Sequence, residues 1–438
     1  MLSAQDNEAL TRVGPGTPMG ELLRRYWHPV APVSEVREKR IVPVRILGED
    51  LVLFTAGPDR LGLISRRCAH RNVDLSVCSW IDDGSLRCAY HGWAYDAEGR
   101  CAQQPFDGAS GDDRFREKIR VDAYPTRSIG GLAWAYLGSG EPPSLPDFEP
   151  YGWRRGFTEI SVTVLPCNWF QCHENGVDPV HFEWLHTNWS SVQRGPHDRS
   201  YGPAHLAVDF DEFEFGFICG RELAPGNTNM RPLSRSNSVS EGGILCVWPY
   251  TLVTGQTIEW RVPVDDEHTL NITRQYSVLP DDQPPVSLDP GSIPYWYGPL
   301  TDPVNGRVIT SHTLNQDFAA WVAQGAVARR DREHLGRSDA GIIRLRRRYL
   351  QEMDRVARGA DPPGVVRGPG DSVQVELPIY MKSWFANGVS PEKFRQLHAR
   401  IKGTSQASDG YFSVQAGRPE HVRRLFAAAA GVPAEAAH

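Results

Sequence analysis

The sequence contains no apolar run long enough to cross a membrane. A spanning helix needs about 18 or more largely apolar residues, and no stretch of the 438 residues approaches that length. The N-terminal residues MLSAQDNEALTRV also lack the apolar core of a secretory signal peptide. We therefore expect a cytoplasmic protein that makes no membrane contact.

The chain also lacks the positive charge of a nucleic-acid-binding protein. Its formal net charge is −6, and its one notable basic run is RLRRRYL at 344–350. Binding to nucleic acids or anionic lipids depends on clustered lysine and arginine, and this run has the composition of a solvated helix face. We expect no nucleic-acid partner.

Cysteines are few for so long a chain, eight in 438 residues. Secreted disulfide-rich domains concentrate their cysteines in a short sequence, whereas these are widely spread, as expected in a reducing compartment where a few thiols bind metal. Two of them, Cys68 and Cys88, lie close to histidines. The remaining six are predicted to be small buried core residues: Cys78, Cys101, Cys167, Cys172, Cys219 and Cys246.

Two regions of different composition follow each other, as expected for a chain too long for one hydrophobic core. Short β-type runs such as VPVRILG and GGLAWAYLG predict an all-β domain, and GSGEPPSLPDFEP at 138–150 marks its end. Beyond it, strands and helices are mixed. We predict an α+β protein with an all-β domain over 1–148, including an N-terminal extension, and a second domain over 149–438 whose antiparallel sheet is flanked by helices.

Sequence patterns also predict individual strands and helices in the second domain. FDEFEFGFIC (210–219) alternates strictly enough to predict one strand. PCNWFQCHEN (166–175) and VHFEWLHTNW (180–189) are predicted to be helical, and the longest helices are predicted over 314–335 and 340–359.

Two short loops each contain one cysteine and one histidine. One residue separates Cys68 from His70, two separate Cys88 from His91, and 17 lie between the pairs. Zinc sites usually take Cys-x2-Cys followed by a histidine pair, whereas a [2Fe-2S] cluster with two thiolates on one iron and two imidazoles on the other needs both ligand types from each loop. The pattern favours the cluster, and zinc is the alternative.

These loops resemble those of the Rieske family, whose Cys-x-His and Cys-x2-His pattern is matched in full. Neither CAHRNV nor CAYHGW has the additional cysteine that respiratory-complex members use for a disulfide, so the resemblance is to the oxygenase and ferredoxin branch. Gly92 allows the backbone to approach the cluster closely, and Trp93 can cover it from water.

A second constellation lies at Asp178, His181 and His186. The two histidines are five apart, about 140° around a regular helix, so both can bind one metal only if the helix distorts or ends near His186. The segment is similar to the Asp-x2-His-x4-His motif of Rieske non-haem iron oxygenases. That resemblance implies that His181 and His186 bind iron(II) and that Asp178 does not bind it directly.

Non-haem iron(II) enzymes of this kind complete the site with one carboxylate, which leaves a face of the metal open for O2. The resemblance places this ligand at Asp317, in NQDF, near the start of a C-terminal helix. Asp302, Asp331 and Asp339 are the further candidates.

The resemblance extends, through YWHPV, LGEDLVLF, WRVPVDD and REHLGRSDAGII, to the phthalate dioxygenase-like group. It implies a helix-grip catalytic domain and a head-to-tail homotrimer, or a dimer of trimers, in which Asp178 bridges His91 of one subunit and His181 of the next. It also implies a separate flavin and iron–sulfur reductase, and the chain itself has no recognisable NAD(P)H or flavin motif. NAD(P)H would therefore act only indirectly.

The reactions implied are hydroxylation, dihydroxylation or O-demethylation of an aromatic substrate, acidic or methoxylated, by a mono- or dioxygenase. An acidic substrate calls for a basic residue in its pocket, and Arg221, Arg231 and Arg235 are candidates. A Rieske electron-transfer protein, which needs only the cluster, and a zinc-stabilised binding protein, which needs no iron, are the alternatives.

Overall fold

The computed structural model describes residues 2–108, 114–193, 195, 202, 204–224, 244–379, 382–401 and 413–432. Strands dominate the first third, and a large sheet with flanking helices forms the rest, so the α+β prediction is confirmed. Within these ranges no helix combines the length and apolarity needed to span a bilayer.

Three small antiparallel sheets form the first region. Its strands in chain order are β1 (Trp27–Pro32), β2 (Ile41–Ile46), β3 (Glu49–Thr55), β4 (Leu61–Ser65), β5 (Ser79–Asp82), β6 (Ser85–Cys88), β7 (Ala94–Tyr95), β8 (Cys101–Gln103), β9 (Ala123–Tyr124), β10 (Thr126–Ile129) and β11 (Leu132–Tyr136). The sheet orders are β1-β11-β10, β2-β3-β4-β9 and β5-β6-β7-β8. The two cysteine–histidine loops therefore project from the β4–β5 and β6–β7 connections.

An eight-stranded sheet forms the centre of the second region. The strands that follow β11 are β12 (Leu145–Phe148), β13 (Gly156–Leu165), β14 (His205–Phe213), β15 (Gly216–Leu223), β16 (Ile244–Val247), β17 (Thr251–Val253), β18 (Thr257–Pro263), β19 (Thr269–Val278), β20 (Tyr295–Tyr297) and β21 (Ser372–Val375). The sheet order is β14-β15-β16-β17-β18-β19-β13-β20, antiparallel except for the β13–β20 pair. Strands β12 and β21 pair in parallel apart from it.

Both faces of this sheet are covered. On one face Trp260 of β18 packs edge-on against Trp134 of β11, with ring centroids 5.7 Å apart, which joins the two regions. Along β19, successive side chains alternate between the faces. Asn271 and Thr273 therefore share the face opposite to that of Arg274.

The helices lie mostly in the second region. In chain order they are α1 (Ala4–Thr11), α2 (Pro18–Leu23), α3 (Val33–Lys39), α4 (Pro105–Gly108), α5 (Trp169–Glu174), α6 (Ser190–Gln193), α7 (Thr313–Val322), α8 (Ala340–Ala357), α9 (Lys382–Asn387), α10 (Pro391–Ile401) and α11 (Glu420–Ala430), with a π-helix over Phe182–Trp189. The N-terminal α1 and α2 pack on α8. The N-terminal extension thus contacts the second region, and the boundary after residue 148 stays a prediction.

Two element predictions were wrong. The predicted strand over 210–219 is a hairpin, because the chain reverses between Phe213 and Gly216 and pairs β14 with β15. The predicted helix over 314–335 ends at Val322, and Gly325 lies at a φ of 91°, a conformation that a helix does not accommodate.

Two burial predictions also need correction. Cys78 is exposed, because its neighbourhood lies at the surface around the cluster loops, whereas the other five predicted core cysteines are buried. The basic run 344–350 is only partly a solvated face. It lies on α8, where Arg346 turns inward and is 5% exposed.

Candidate metal centres

Each cysteine–histidine loop is a tight turn that begins at its cysteine. The Asn72 backbone N–H donates to the Cys68 carbonyl oxygen at 2.8 Å, and that of Gly92 donates to Cys88 at 2.9 Å. Gly92 has a φ of 76°, and a Cβ there would lie 2.8 Å from Cγ of Pro105. Only glycine fits this position without displacing its neighbour.

The turns point the thiols inward and the imidazoles outward. Cys68 and Cys88 are each 2% exposed, whereas His70 and His91 are exposed, with ring centroids 4.5 Å apart. Trp93 stacks on His70 at 4.6 Å. The structure therefore brings the four predicted cluster ligands together, with one thiol and one imidazole from each loop, the donor set that a [2Fe-2S] Rieske centre requires.

The thiol side of this centre is dry. Burial, together with the neighbouring Cys68, raises the pKa of the Cys88 thiol, so a metal must replace the proton for the thiolate to form there. Tyr95 lies behind the loops, with its hydroxyl 3.2 Å from Sγ of Cys68 and accepting a hydrogen bond from the Ala69 N–H at 3.1 Å. Hydrogen bonds to cluster sulfurs are one of the means by which a protein sets a reduction potential.

The second constellation lies on a distorted helix. His181 immediately precedes the π-helix Phe182–Trp189, which contains His186. The wider turns of a π-helix, with hydrogen bonding from i to i+5, bring residues five apart nearer to one face than an α-helix does. The expected distortion is therefore confirmed, and its consequence is that both imidazoles project from one face.

Asp317 approaches this face from the start of α7. Its Oδ1 lies 3.6 Å from Nε2 of His181 and 3.4 Å from Nε2 of His186. One ligand atom from each of the three residues lies within 4.8 Å of the others. Asp302, Asp331 and Asp339 do not join this group.

The far side of each imidazole is held by an acceptor. Nδ1 of His181 hydrogen-bonds the Asp178 carbonyl oxygen, and Nδ1 of His186 lies 3.0 Å from Oε1 of Gln316. Because these acceptors favour a proton on Nδ1, both Nε2 lone pairs are directed towards Asp317. Gln316 is itself fixed, since its amide donates to Oγ of Ser190 at 2.7 Å.

The protonation states of His181 and Asp317 suit metal binding. Burial alone would lower the pKa of His186, but the Asp317 carboxylate and Gln316 outweigh it and raise this pKa, so a metal ion competes with a proton there. Burial lowers the pKa of His181 to about 4, so its imidazole is neutral near pH 7. Burial alone would raise the pKa of Asp317, but the nearby His186, His181 and Arg261 outweigh it and hold this pKa below its ordinary value. A neutral imidazole and an ionised carboxylate are the forms that coordinate iron.

A buried chain of polar groups supports Asp317 from beneath. Asn175 donates to Oδ1 of Asp317 at 3.2 Å, and Nη2 of Arg261 donates to Oδ1 of Asn175 at 3.5 Å. Arg261 is fully buried and pairs with Glu259 through Nε at 3.1 Å. Neither Arg261 nor Gln316 was predicted, because no local motif marks a residue that acts on a site through long-range contacts.

The preceding helix is anchored by an ionic cluster. The carboxylate of Glu174, the last residue of α5, forms ion pairs with Nη2 of Arg330 at 2.7 Å and with Nε of Arg346 at 2.5 Å. All three side chains are buried. These partners lie 156 and 172 residues along the chain. Removing one partner of such a buried set leaves an uncompensated charge, which is strongly destabilising, so the cluster fixes where α5 ends and the metal-binding segment begins.

Asp178 lies at the edge of the site rather than in it. Its Oδ1 accepts the Val180 N–H at 3.1 Å, and Oδ2 is 4.0 Å from Nδ1 of His181. Its side chain is 30% exposed. This position fits a residue that contacts His181 on one side and the surface on the other.

The candidate substrate-binding arginines are not confirmed. Arg221 is buried and its guanidinium is occupied by Glu183 at 2.8 Å, over the ring of Phe182. Glu183 also accepts from His205 at 2.7 Å, which fixes the π-helix. Arg231 and Arg235 lie outside the described residues.

Comparisons with known proteins agree with this arrangement. Residues 26–125 match the Rieske [2Fe-2S] domain model. The chain is 43% identical over 429 residues to the 5,5'-dehydrodivanillate O-demethylase oxygenase subunit of a Sphingobium species, covering 97% of this chain and 96% of the other. It is 34% identical to the phenoxybenzoate dioxygenase subunit alpha of Ectopseudomonas oleovorans, covering 83% and 88%.

A solved structure shares the fold at lower identity. The terminal oxygenase of carbazole 1,9a-dioxygenase from Novosphingobium sp. KA1 superposes with a TM-score of 0.53 at 21% identity, covering 78% of this chain and 97% of the other. With the Rieske match and the full-length relatives, this confirms the resemblance found in the sequence. The chain belongs to the Rieske non-haem iron oxygenases, as an oxygenase component that carries a [2Fe-2S] cluster and a mononuclear iron and uses O2.

Proposed function

We propose that this oxygenase O-demethylates a methoxylated aromatic acid at a mononuclear iron(II) held by His181, His186 and Asp317. The observation that carries the proposal is the convergence of two imidazole Nε2 atoms and a buried carboxylate, which an electron carrier does not need. The 43% identity to an O-demethylase subunit over 97% of this chain supports demethylation among the possible reactions.

The overall reaction consumes the aryl methyl ether, O2, two electrons and two protons and releases the phenol, formaldehyde and water. The bound iron supplies O2 activation with electrons that the cluster delivers. The protein fixes the two imidazole tautomers through the Asp178 carbonyl and Gln316, and it holds Asp317 through Asn175. Iron(II) bound by His181, His186 and Asp317 would have ligand positions that the protein does not fill, and these would be available for O2.

We propose that a separate reductase with flavin and iron–sulfur centres supplies electrons from NAD(P)H to the cluster held by Cys68, His70, Cys88 and His91, so that this chain meets the nicotinamide only indirectly. Electrons leave the cluster through His91. The exposure of His91 supports this exit, because an electron can pass from its edge without crossing a layer of the same subunit.

We further propose a homotrimer, or a dimer of trimers, in which Asp178 links His91 of one subunit to His181 of the next. The partial exposure of Asp178 and its nearness to His181 support this role. The eight free cysteines support a cytoplasmic location, where thiols stay reduced.

Product analysis tests the reaction. The purified oxygenase, a flavin and iron–sulfur reductase, and NADH are incubated with methoxybenzoates and with the same acids lacking the methoxy group. We expect one formaldehyde and one phenol for each O2 consumed, only from the methoxylated acids. Detection of a cis-dihydrodiol would show that the reaction is ring dihydroxylation rather than demethylation. O2 uptake without any product would reject both reactions.

Metal analysis tests the oxygenase assignment independently. About three irons and two acid-labile sulfides per chain are expected from one cluster and one mononuclear site. Two irons would indicate an electron carrier, and zinc without visible absorbance would indicate the zinc-stabilised alternative. The Asp317→Ala variant is the matched sample, because it should lose only the mononuclear iron.

A further inference from the structure

A cavity of about 270 Å³ lies between the large sheet, the β10–β11 hairpin and α11. Its lining includes Arg274 of β19, Tyr151 and Trp153, together with the apolar Ile293 and Leu425. Arg274 lies on the face of β19 opposite to Asn271, and Asn271 hydrogen-bonds the Glu259 that pairs with Arg261 beneath the metal ligands. The cavity and the mononuclear site therefore lie on opposite faces of the sheet.

Arg274 carries a buried charge that the described part of the chain does not pair. It is 2% exposed, its Nη1 donates to the Pro150 carbonyl oxygen at 3.3 Å, and its Nε has no hydrogen-bond partner there. The other buried arginines of the described ranges each face a carboxylate: Arg24, Arg221, Arg261, Arg330, Arg346 and Arg418. Arg274 is the exception.

Aromatic rings compensate this charge only in part. The guanidinium lies 4.5 Å from the ring centroid of Tyr276 and 5.1 Å from that of Tyr151. Both hydroxyl groups are buried and lack a hydrogen-bond partner in the described ranges. A cation–π contact stabilises a buried guanidinium less than an ion pair with hydrogen bonds does, so the site lacks an anion that can also accept from a hydroxyl group.

We propose that this cavity binds a small organic carboxylate with an apolar body, such as an aromatic monocarboxylic acid. The carboxylate would lie on Arg274 and accept a hydrogen bond from Tyr151, with Ile293 and Leu425 against the apolar part. The volume is just below the range of about 300–1,000 Å³ for drug-sized ligands, which suits a single-ring acid. This ligand site is additional to the metal site and does not depend on which substrate the enzyme oxidises.

The probe is 4-bromobenzoate, soaked into crystals of the holoenzyme and titrated in solution. We expect anomalous bromine density in the cavity, and saturable binding that weakens at least tenfold for 4-bromobenzamide or for the Arg274→Met variant. Arg358→Met, at an exposed arginine, is the control and should bind as the wild type does. Bromine density at the mononuclear site alone would overturn this proposal while leaving the proposed function intact.

Thermal unfolding of ligand-free and ligand-bound protein separates a binding role from a structural one. Arg274→Met should leave the ligand-free Tm unchanged or higher, because it removes an unpaired buried charge, and the rise in Tm caused by benzoate should be smaller than in the wild type. Ala429→Phe fills the cavity while keeping Arg274 and should reduce the benzoate effect to the same extent. A lower ligand-free Tm for Arg274→Met together with no benzoate effect in the wild type, or binding seen only in soaked crystals, would overturn the proposal.

Discussion

The two predicted metal-binding regions differ in exposure. In the cluster loops the thiols are buried but His70 and His91 face outwards. In the triad Asp317 is 5% exposed, and the side chains of His181 and His186 are 11% and 10% exposed. A site that receives electrons from another protein needs an accessible edge, whereas a site that activates O2 must limit water.

They differ also in how their ligands are supported. Trp93 and Tyr95 follow the second loop and contact His70 and Cys68 of the first, so the support of the cluster ligands comes from within residues 68–95. The triad depends on Gln316 and Arg261, which lie far along the chain from His181 and His186. One short segment of the first region therefore supports the electron-transfer site, whereas distant parts of the second region are needed to build the other.

The largest effect should come from removing the buried carboxylate of the triad. Asp317→Ala should lower the iron content from about three to two per chain and reduce turnover to background, because a histidine pair alone holds iron(II) weakly. The visible spectrum of the cluster should not change. Asp331→Ala is the control, and loss of the cluster spectrum in Asp317→Ala would show that the regions are not independent.

Asp178→Asn tests the connection between the two regions. Both metal sites should stay loaded, but turnover should fall by about 100-fold, because an amide has no negative charge and only one acceptor oxygen with which to link His91 to His181. Iron content, the cluster spectrum and product formation are measured on the same sample, with Asp302→Asn as the control. Product formation at the wild-type rate would reject the bridge.

Gln316→Leu tests whether support from a distant residue matters. Without the acceptor at Nδ1, His186 loses its fixed orientation, and the affinity for iron(II) or cobalt(II) should fall by about tenfold. Gln324→Leu is the matched control, since this exposed glutamine lies just beyond the same helix and its side chain bonds only the Ala320 carbonyl oxygen in the described ranges. Equal metal affinities in the two variants would contradict the assignment.

The last prediction concerns folding stability rather than metal binding or turnover, and it rests on a buried histidine between the regions. His28 of β1 contacts Tyr250 and the Leu23 carbonyl oxygen, and burial lowers its pKa to about 3. Below about pH 6.5 the imidazole of His28 binds a proton in the unfolded chain but not in the folded chain. The stability of the folded state with a neutral His28 is therefore complete above that pH and is lost as pH falls towards 3.

Between pH 7.5 and 5.0 this loss amounts to about 2 kcal/mol of unfolding free energy. Urea unfolding at both pH values measures it, and His28→Gln should be less stable at pH 7.5 but less sensitive to acid. His421→Gln, at an exposed histidine, should keep the wild-type pH dependence. Unchanged acid sensitivity in His28→Gln would show that His28 is not kept neutral by the fold.

Sequence patterns predicted the architecture and the grouping of His181, His186 and Asp317 better than they predicted element boundaries. The hairpin turn between Phe213 and Gly216 interrupts an alternating pattern that continues on both sides, so periodicity alone could not reveal it. The end of α7 at Val322 was missed because the residues that follow keep a helical composition. The chain leaves the helix there, and Arg330 forms its ion pair with the distant Glu174, a contact that the sequence pattern does not show.

The sequence by itself determined which side chains can bind metal, because ligand chemistry and short spacings are local properties of the chain. Only the tertiary structure decided that Asp317 meets His181 and His186, which nitrogen of His186 is free, and that Arg274 is left without a carboxylate. Those outcomes depend on contacts between residues more than a hundred positions apart, and on burial, which gives such contacts their strength.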